Sequence, residues 1–235
     1  KFNEFLKLRQ YTFLTGGAVI VVGFILFIVT HSFESRLNEN DYAAIMVFSA
    51  LMVLWGTIIF TYGIKVFLSI LFPLLFLIFM IPVPAFMMEK MIVFLQSGST
   101  EFADLLFWFS QIPYYREGFI FHLPGMSVEV APECSGIRSG LALFITALLA
   151  GYLFLNSWWR WAIFVLCVVP ITMLKNGIRI TTLTLLGTYV DPRILQSSLH
   201  REGGIPFFIL ALFLMAPILY LLRRTERKIL RNKLK

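Results

Sequence analysis

The sequence predicts an all-α polytopic integral membrane protein with about six transmembrane helices, further interfacial helices and a small extracytoplasmic hairpin-like segment. Composition is the first reason: 59% of the 235 residues are hydrophobic and only 14% are charged, whereas an average soluble domain carries about 25% charged residues. The second reason is that the apolar runs recur along the whole chain, which a single signal peptide does not explain.

The net charge of +7 is concentrated at the C-terminus, where Arg223–Lys235 holds seven Lys/Arg and one Glu. A basic tail directly after an apolar run is typical of a cytoplasmic anchor that faces anionic lipid. The distribution therefore favours a lipid bilayer over nucleic acid as the partner of the basic residues.

The transmembrane segments follow from the runs that lack charged residues. About 20 apolar residues cross the hydrocarbon core as a helix. Six runs come close to that length, and the predicted transmembrane segments are 11–33, 42–64, 66–88, 139–159, 158–175 and 203–222. Two shorter runs, 105–115 and 180–190, are predicted to be interfacial or re-entrant helices.

Lys and Arg placement predicts the orientation. Basic residues near both ends place the N- and C-termini in the cytoplasm, because cytoplasmic loops are enriched in Lys and Arg. The parity of six spans then places 89–133 and 176–202 on the extracytoplasmic side of a cytoplasmic (inner) membrane, within a single domain of residues 1–235. Segment 176–202 is net basic on the outer side, so its arginines need another explanation.

Residues 112–130 differ in composition and patterning from the apolar runs. Pro124-Gly125 is a turn signal. Phe119 and Phe121 before it, and Val128 and Val130 after it, alternate with other residues as short strands do. The pattern predicts a small hairpin over the membrane surface.

The segment Pro-Glu-Cys-Ser-Gly-Ile-Arg begins at Pro132 and leads into the fourth predicted span. A thiol at a helix N-terminus has a lowered pKa, so Cys134 is a candidate nucleophile. Arg138 is expected one turn further along the same face. Ser135 and Gly136 are small enough for a substrate backbone to approach. The alternative is that Gly136-x-x-x-Gly140 only packs helices closely.

Two further polar residues are expected on the same side of the membrane as Cys134. Arg179 lies between two apolar runs, where its donor fork suits a carbonyl oxygen or carboxylate, although a snorkelling interfacial Arg is the alternative. His200 precedes the last span and can exchange a proton near neutral pH. His122 and His31 are rivals for that role, and Cys167 inside a span is interpreted as core packing.

The sequence shows no convincing metal pattern, because the three histidines are far apart and no paired-cysteine spacing exists. It also lacks a glycine-rich phosphate loop. We expect neither a metal nor a cofactor.

The run from Val130 to Ser139 resembles the signature of the exosortase/archaeosortase family. The Asn176-Gly177-Ile178-Arg179 segment and the later His200 occur in the order of that family. The resemblance covers roughly Pro82 to the C-terminus. It implies a membrane cysteine transpeptidase or protease in which Cys134 is the nucleophile, Arg179 stabilises the oxyanion and His200 is the acid/base. The supporting or substrate-binding positions would be Glu133, Ser135, Gly136, Arg138 and Asn176.

The resemblance also implies the partners. They would be membrane-anchored secreted proteins with a C-terminal sorting signal, which consists of a short motif, a transmembrane helix and a basic cluster. The alternative function is a multi-span transporter, or an assembly factor for exopolysaccharide or lipid without peptidase activity. Transport sites usually lie at the bilayer midplane on broken helices, whereas the polar residues here cluster near one predicted rim.

Overall fold

The computed structural model describes residues 12–191, 193 and 204–233, and the described part of the chain is mainly helical. Its α-helices are α1 Phe13–Ser32, α2 Glu39–Tyr62, α3 Ile64–Ser69, α4 Leu71–Phe76, α5 Ala85–Ser110, α6 Ile137–Phe154, α7 Trp158–Leu166, α8 Val168–Tyr189 and α9 Gly204–Lys233. Short 3₁₀ turns occupy Glu34–Arg36, Leu77–Met80 and Pro132–Ser135. The chain divides after Glu89 into two compact units.

Within the described residues, five helical stretches are long and apolar enough to cross a membrane: Phe13–Ser32, Glu39–Tyr62, Ile137–Phe154, Trp158–Tyr189 and Ile205–Ile229. A sixth candidate is the pair Leu71–Met80 and Ala85–Ser110, which is bent by 90°. The predicted all-α polytopic membrane fold is therefore confirmed, with five spans or up to six.

The predicted third span, 66–88, was wrong as a single helix. Helix α3 ends at Ser69 and α4 begins at Leu71. Pro73 explains this first break, because a proline has no N–H to donate to the carbonyl four residues earlier and its ring crowds that carbonyl. Pro82 and Pro84 lie in the non-helical stretch that precedes α5. There the carboxylate of Asp41 accepts a hydrogen bond from the backbone N–H of Ala85 at 2.8 Å.

The two short apolar runs do not form separate interfacial helices. Residues 105–110 are the end of α5, and residues 180–189 are the end of α8. The helix predicted to stop at Lys175 continues to Tyr189. Charged residues interrupt an apolar run but not a helix, because Lys and Arg are good helix formers.

The segment predicted to be a hairpin, 112–130, contains a three-stranded antiparallel sheet instead. Its strands are β1 Tyr115–Glu117, β2 Ile120–Leu123 and β3 Met126–Glu129, in the order β1-β2-β3. The predicted turn at Pro124-Gly125 joins β2 to β3, with Gly125 at φ 91°. Phe121 is paired with Val128.

Helix α8 contributes to two apolar cores in the second unit. In the helical bundle, Ile171 packs with residues of α6, α7 and α9, and these are Leu143, Ala147, Phe164, Ala211 and Met215. Beneath the sheet, Ile180 packs with Ala103, Phe107, Phe121, Leu123 and Val130. The part of α8 that connects the cores therefore contains Lys175, Asn176 and Arg179.

Candidate active site

Cys134 lies on the short 3₁₀ turn Pro132–Ser135, which leads into α6. Of Cys134 the structure describes the backbone. Ala131 is extended and Pro132 opens the turn, where a missing N–H costs nothing. Gly136 then adopts the left-handed conformation at φ 75° and caps α6. This turn separates Cys134 from the first helical residue, Ile137.

The left-handed Gly136 interrupts the helix between Cys134 and Arg138, so the two residues do not belong to one continuous helix. Arg138 is an exposed residue in the first turn of α6, and Glu133 is exposed on the 3₁₀ turn. Ser135 points inward instead, with no exposed surface.

Helices α6 and α8 approach each other closely beside this turn. A Cβ placed on Gly136 would lie 3.1 Å from Cγ and Oδ1 of Asn176, and one on Gly140 would lie 2.9 Å from Cγ2 of Thr172. Both distances are too short for a side chain without displacement of the neighbour. Gly136 and Gly140 therefore do pack α6 closely against α8. The same packing brings the polar segment of α8 against the residues that follow Cys134.

Lys175 is part of this contact, a position that sequence analysis interpreted only as the end of a span. Its side chain is 2% exposed. The Nζ group donates a hydrogen bond to Oγ of Ser139. The Ser139 hydroxyl in turn donates to the backbone oxygen of Gly136 at 3.0 Å. A lysine between two apolar runs was the sequence signal that could have identified Lys175, because an ionisable residue inside a membrane-spanning segment usually has a function.

Arg179 lies one helical turn after Lys175 on α8 and is half-buried. The two positive charges repel each other. The neighbouring Ile180 belongs to the apolar core beneath the sheet. Arg179 is therefore at the level where α8 passes from the bundle to the sheet.

His200 lies outside the described residues. Its rival His122 lies on β2, opposite Tyr115 and Ser127. Nδ1 of His122 is 2.8 Å from Oγ of Ser127, and the His122 and Tyr115 rings stack at 5.9 Å between centroids. Nε2 of His122 is 3.8 Å from a carboxylate oxygen of Glu117.

The other reactive candidates have local partners in the structure. His31 lies 3.6 Å from the carboxylate of Glu34, within the first unit. Cys167 joins α7 to α8 and packs beside the bundle core. No group of three or more His, Cys, Asp or Glu could hold a metal ion in the described ranges.

Arg116 fixes the sheet to α5. Its guanidinium donates to Oε1 of Glu101 at 2.7 Å and lies 3.4 Å from the carboxylate of Asp104. The hydrogen bond with Glu101 raises the pKa of Arg116. Burial, and then the hydrogen bond to Asp104, raises the pKa of the Tyr114 phenol.

An apolar cavity of about 240 Å³ begins directly after the Cys134 turn. Its walls come from α5, α6 and α8, and the lining residues are Met91, Leu95, Ile137, Gly140, Leu141, Phe144, Val168, Val169 and Thr172. It follows α6 from Ile137 to Phe144 and so extends along the helix away from Cys134.

The fold and the candidate site together define a multi-pass membrane protein with a cysteine-bearing turn at a helix start. The family of transmembrane exosortases matches residues 3–217. Because the match covers most of the chain, the protein belongs to the transmembrane exosortase family. No curated protein and no solved structure matches it.

Proposed function

We propose that the protein is a membrane-embedded cysteine transpeptidase or protease that cleaves the C-terminal sorting signal of secreted proteins. The observation that carries the proposal is the contact between Gly136 and Asn176. Gly136 follows Cys134 by two residues and Asn176 precedes Arg179 by three, so the contact joins the segments that bear the proposed nucleophile and the proposed oxyanion stabiliser. Membership of the exosortase family supports the same reaction.

In the first step the Cys134 thiolate attacks the scissile carbonyl carbon, and the carbonyl π electrons move to the oxygen. Arg179 stabilises that oxyanion together with backbone N–H groups of the first turn of α6, which have no acceptor within the helix. Preorganised donors of this kind are worth roughly 3 to 4 kcal/mol each in acyl-transfer enzymes.

In the second step the carbon–nitrogen bond breaks and the leaving amine takes a proton from His200. The product is a thioester on Cys134. Water, or the amine of an acceptor molecule, then attacks the thioester and gives its proton to His200, which restores the thiolate and the protonated histidine. Hydrolysis and transfer differ only in the nucleophile of this last step.

The apolar cavity beside α6 supports a substrate that is itself anchored in the membrane. Its wall runs from Ile137 to Phe144, and a substrate helix seated along it would bring the preceding motif to the Cys134 turn. In this proposal both termini are cytoplasmic, as the placement of Lys and Arg predicts. The site then lies on the outer face of the cytoplasmic membrane, and the basic cluster of the substrate lies on the inner face.

The two cysteines of the chain provide a matched test. Cys134→Ala is expected to abolish processing of a tagged protein with a sorting signal, because the nucleophile is lost, while the variant still inserts into the membrane. Cys167→Ser, which removes the other thiol, is expected to process the substrate as wild type does. Processing by Cys134→Ala at the wild-type rate would refute the proposal.

A further inference from the structure

Lys175 is a buried cation without a carboxylate partner. Its side chain is 2% exposed, and no salt bridge to it forms among the residues that the structure describes. An isolated ammonium inside a protein is unfavourable, and an ionisable residue within a transmembrane segment usually has a functional role. The proposed mechanism does not use this charge.

Two hydrogen bonds connect Lys175 to the segment that carries Cys134. The ammonium donates to Ser139, and Ser139 donates to the carbonyl oxygen of Gly136. The ammonium is thus two hydrogen bonds from the cap residue of α6, and Cys134 precedes that cap by two residues. Because the Ser139 proton is directed at a carbonyl, Lys175 does not serve here as a base for the serine hydroxyl.

The other charged groups near this contact leave it electropositive. Arg179 on α8 adds positive charge, whereas Arg138 on α6 and the Glu133 carboxylate on the 3₁₀ turn are both exposed and are screened by solvent alike. Helix α5 also packs against α8, since a Cβ on Gly177 would lie 2.7 Å from Phe102. The α5 carboxylates nearest in sequence are Glu101 and Asp104, and both interact with Arg116.

We propose that Lys175 is a positioning residue for Cys134: it stabilises the thiolate through its charge and holds the Cys134 turn through Ser139. The inference rests on the proposed function, because it takes Cys134 as the nucleophile that the positive charge of Lys175 stabilises. In this role Lys175 acts on Cys134 through Ser139 and through its charge, not on the substrate.

The test measures the thiol directly and needs no substrate. In the full chain with Cys167→Ser, Cys134 is the sole cysteine, and its rate of alkylation by iodoacetamide is followed against pH in detergent micelles. Lys175→Met removes the charge and keeps the apolar stem, so the midpoint of the pH profile should rise by about one unit. Lys175→Arg keeps the charge, and its midpoint should stay close to that of the Cys167→Ser parent.

An unchanged midpoint in Lys175→Met would overturn the proposal. If Lys175→Met does not fold, Lys175→Gln serves in its place, and the same outcomes apply. Residual processing in Cys134→Ala that disappears in Cys134→Ala/Ser139→Ala would also overturn it, because Lys175 would then serve Ser139 as a nucleophile. The two failures can be told apart: an unchanged alkylation midpoint in Lys175→Met refutes the role of Lys175 and leaves the proposed function standing, whereas an active Cys134→Ala refutes the proposed function itself.

Discussion

Gly136 lies directly against the side chain of Asn176, and a Cβ atom on the glycine would be 3.1 Å from Cγ and Oδ1, so that Asn176 would have to move. Gly136 is also in the left-handed backbone region at φ 75°. Two independent requirements therefore select glycine at this position. One is the backbone conformation of the turn after Cys134, and the other is the close approach of α8.

Gly136→Ala is expected to reduce processing strongly, because the new methyl group displaces the Asn176 side chain from the contact between the two segments. Gly118→Ala is the matched control. Gly118 has a similar φ of 59°, but nothing lies within 4 Å of its Cβ position. Both variants should lose about 1 kcal/mol of stability from backbone strain, whereas only Gly136→Ala should lose activity. Equal activities, measured by substrate processing, would contradict the role assigned to this contact.

The acid/base assignment distinguishes two histidines. His200→Ala is expected to slow processing by about 100-fold or more, the usual contribution of a general acid or base. His122→Ala should remain within several-fold of wild type, because the His122 ring is engaged by Ser127 and Tyr115 within the sheet. Processing rates of the two variants decide between them, and a greater loss in His122→Ala would reverse the assignment.

Much of the fold could be predicted because apolar runs of sufficient length form helices in a membrane protein. The spans near residues 11–33 and 42–64 correspond to α1 and α2. The Pro124-Gly125 turn could also be predicted, because its signal lies in the turn residues themselves. Strand β1 could not be predicted, because Tyr115-Arg116-Glu117 has no apolar alternation and depends on pairing with β2.

The candidate site was predictable only as a set of residue types. Cys134 stands out in its local motif, but the hydrogen bond between Lys175 and Ser139 joins residues 36 positions apart. Such a contact depends on how α6 and α8 cross. Lys175 was predicted to be the end of a span, because a charge normally marks such an end. In the structure it lies inside the helix, where its ammonium donates a hydrogen bond to Ser139 of α6.

Helix α1 of the first unit has two adjacent glycines with opposite environments, one against α2 and one in open space. A Cβ on Gly16 would lie 2.4 Å from the backbone nitrogen of Phe60, whereas nothing lies within 4 Å of one on Gly17. Gly17→Ala should therefore be neutral, or more stable by up to about 1 kcal/mol through helix propensity. Gly16→Ala should lose roughly 1 to 3 kcal/mol, because the helices must separate. Thermal unfolding in detergent compares them, and equal melting temperatures would contradict the close approach.

Glu226 on α9 is a buried carboxylate that connects α9 to the start of α7. Its side chain is 5% exposed and lies 3.5 Å from Nη1 of Arg160. It also accepts hydrogen bonds from the backbone N–H of Asn156 at 3.1 and 3.2 Å. Glu226→Ala is expected to lower the free energy of unfolding by about 3 kcal/mol, because it leaves the half-buried Arg160 without its partner.

Glu117→Ala is the control for this prediction, since the Glu117 side chain is 72% exposed and its loss should change stability by less than about 0.5 kcal/mol. The double variant Glu226→Ala/Arg160→Met tests the cause. Removing both charges eliminates the unpaired cation, so the double variant should be less destabilised than the sum of the two single variants. Strict additivity in thermal or denaturant unfolding would show that Glu226 stabilises the fold through Asn156 and packing alone.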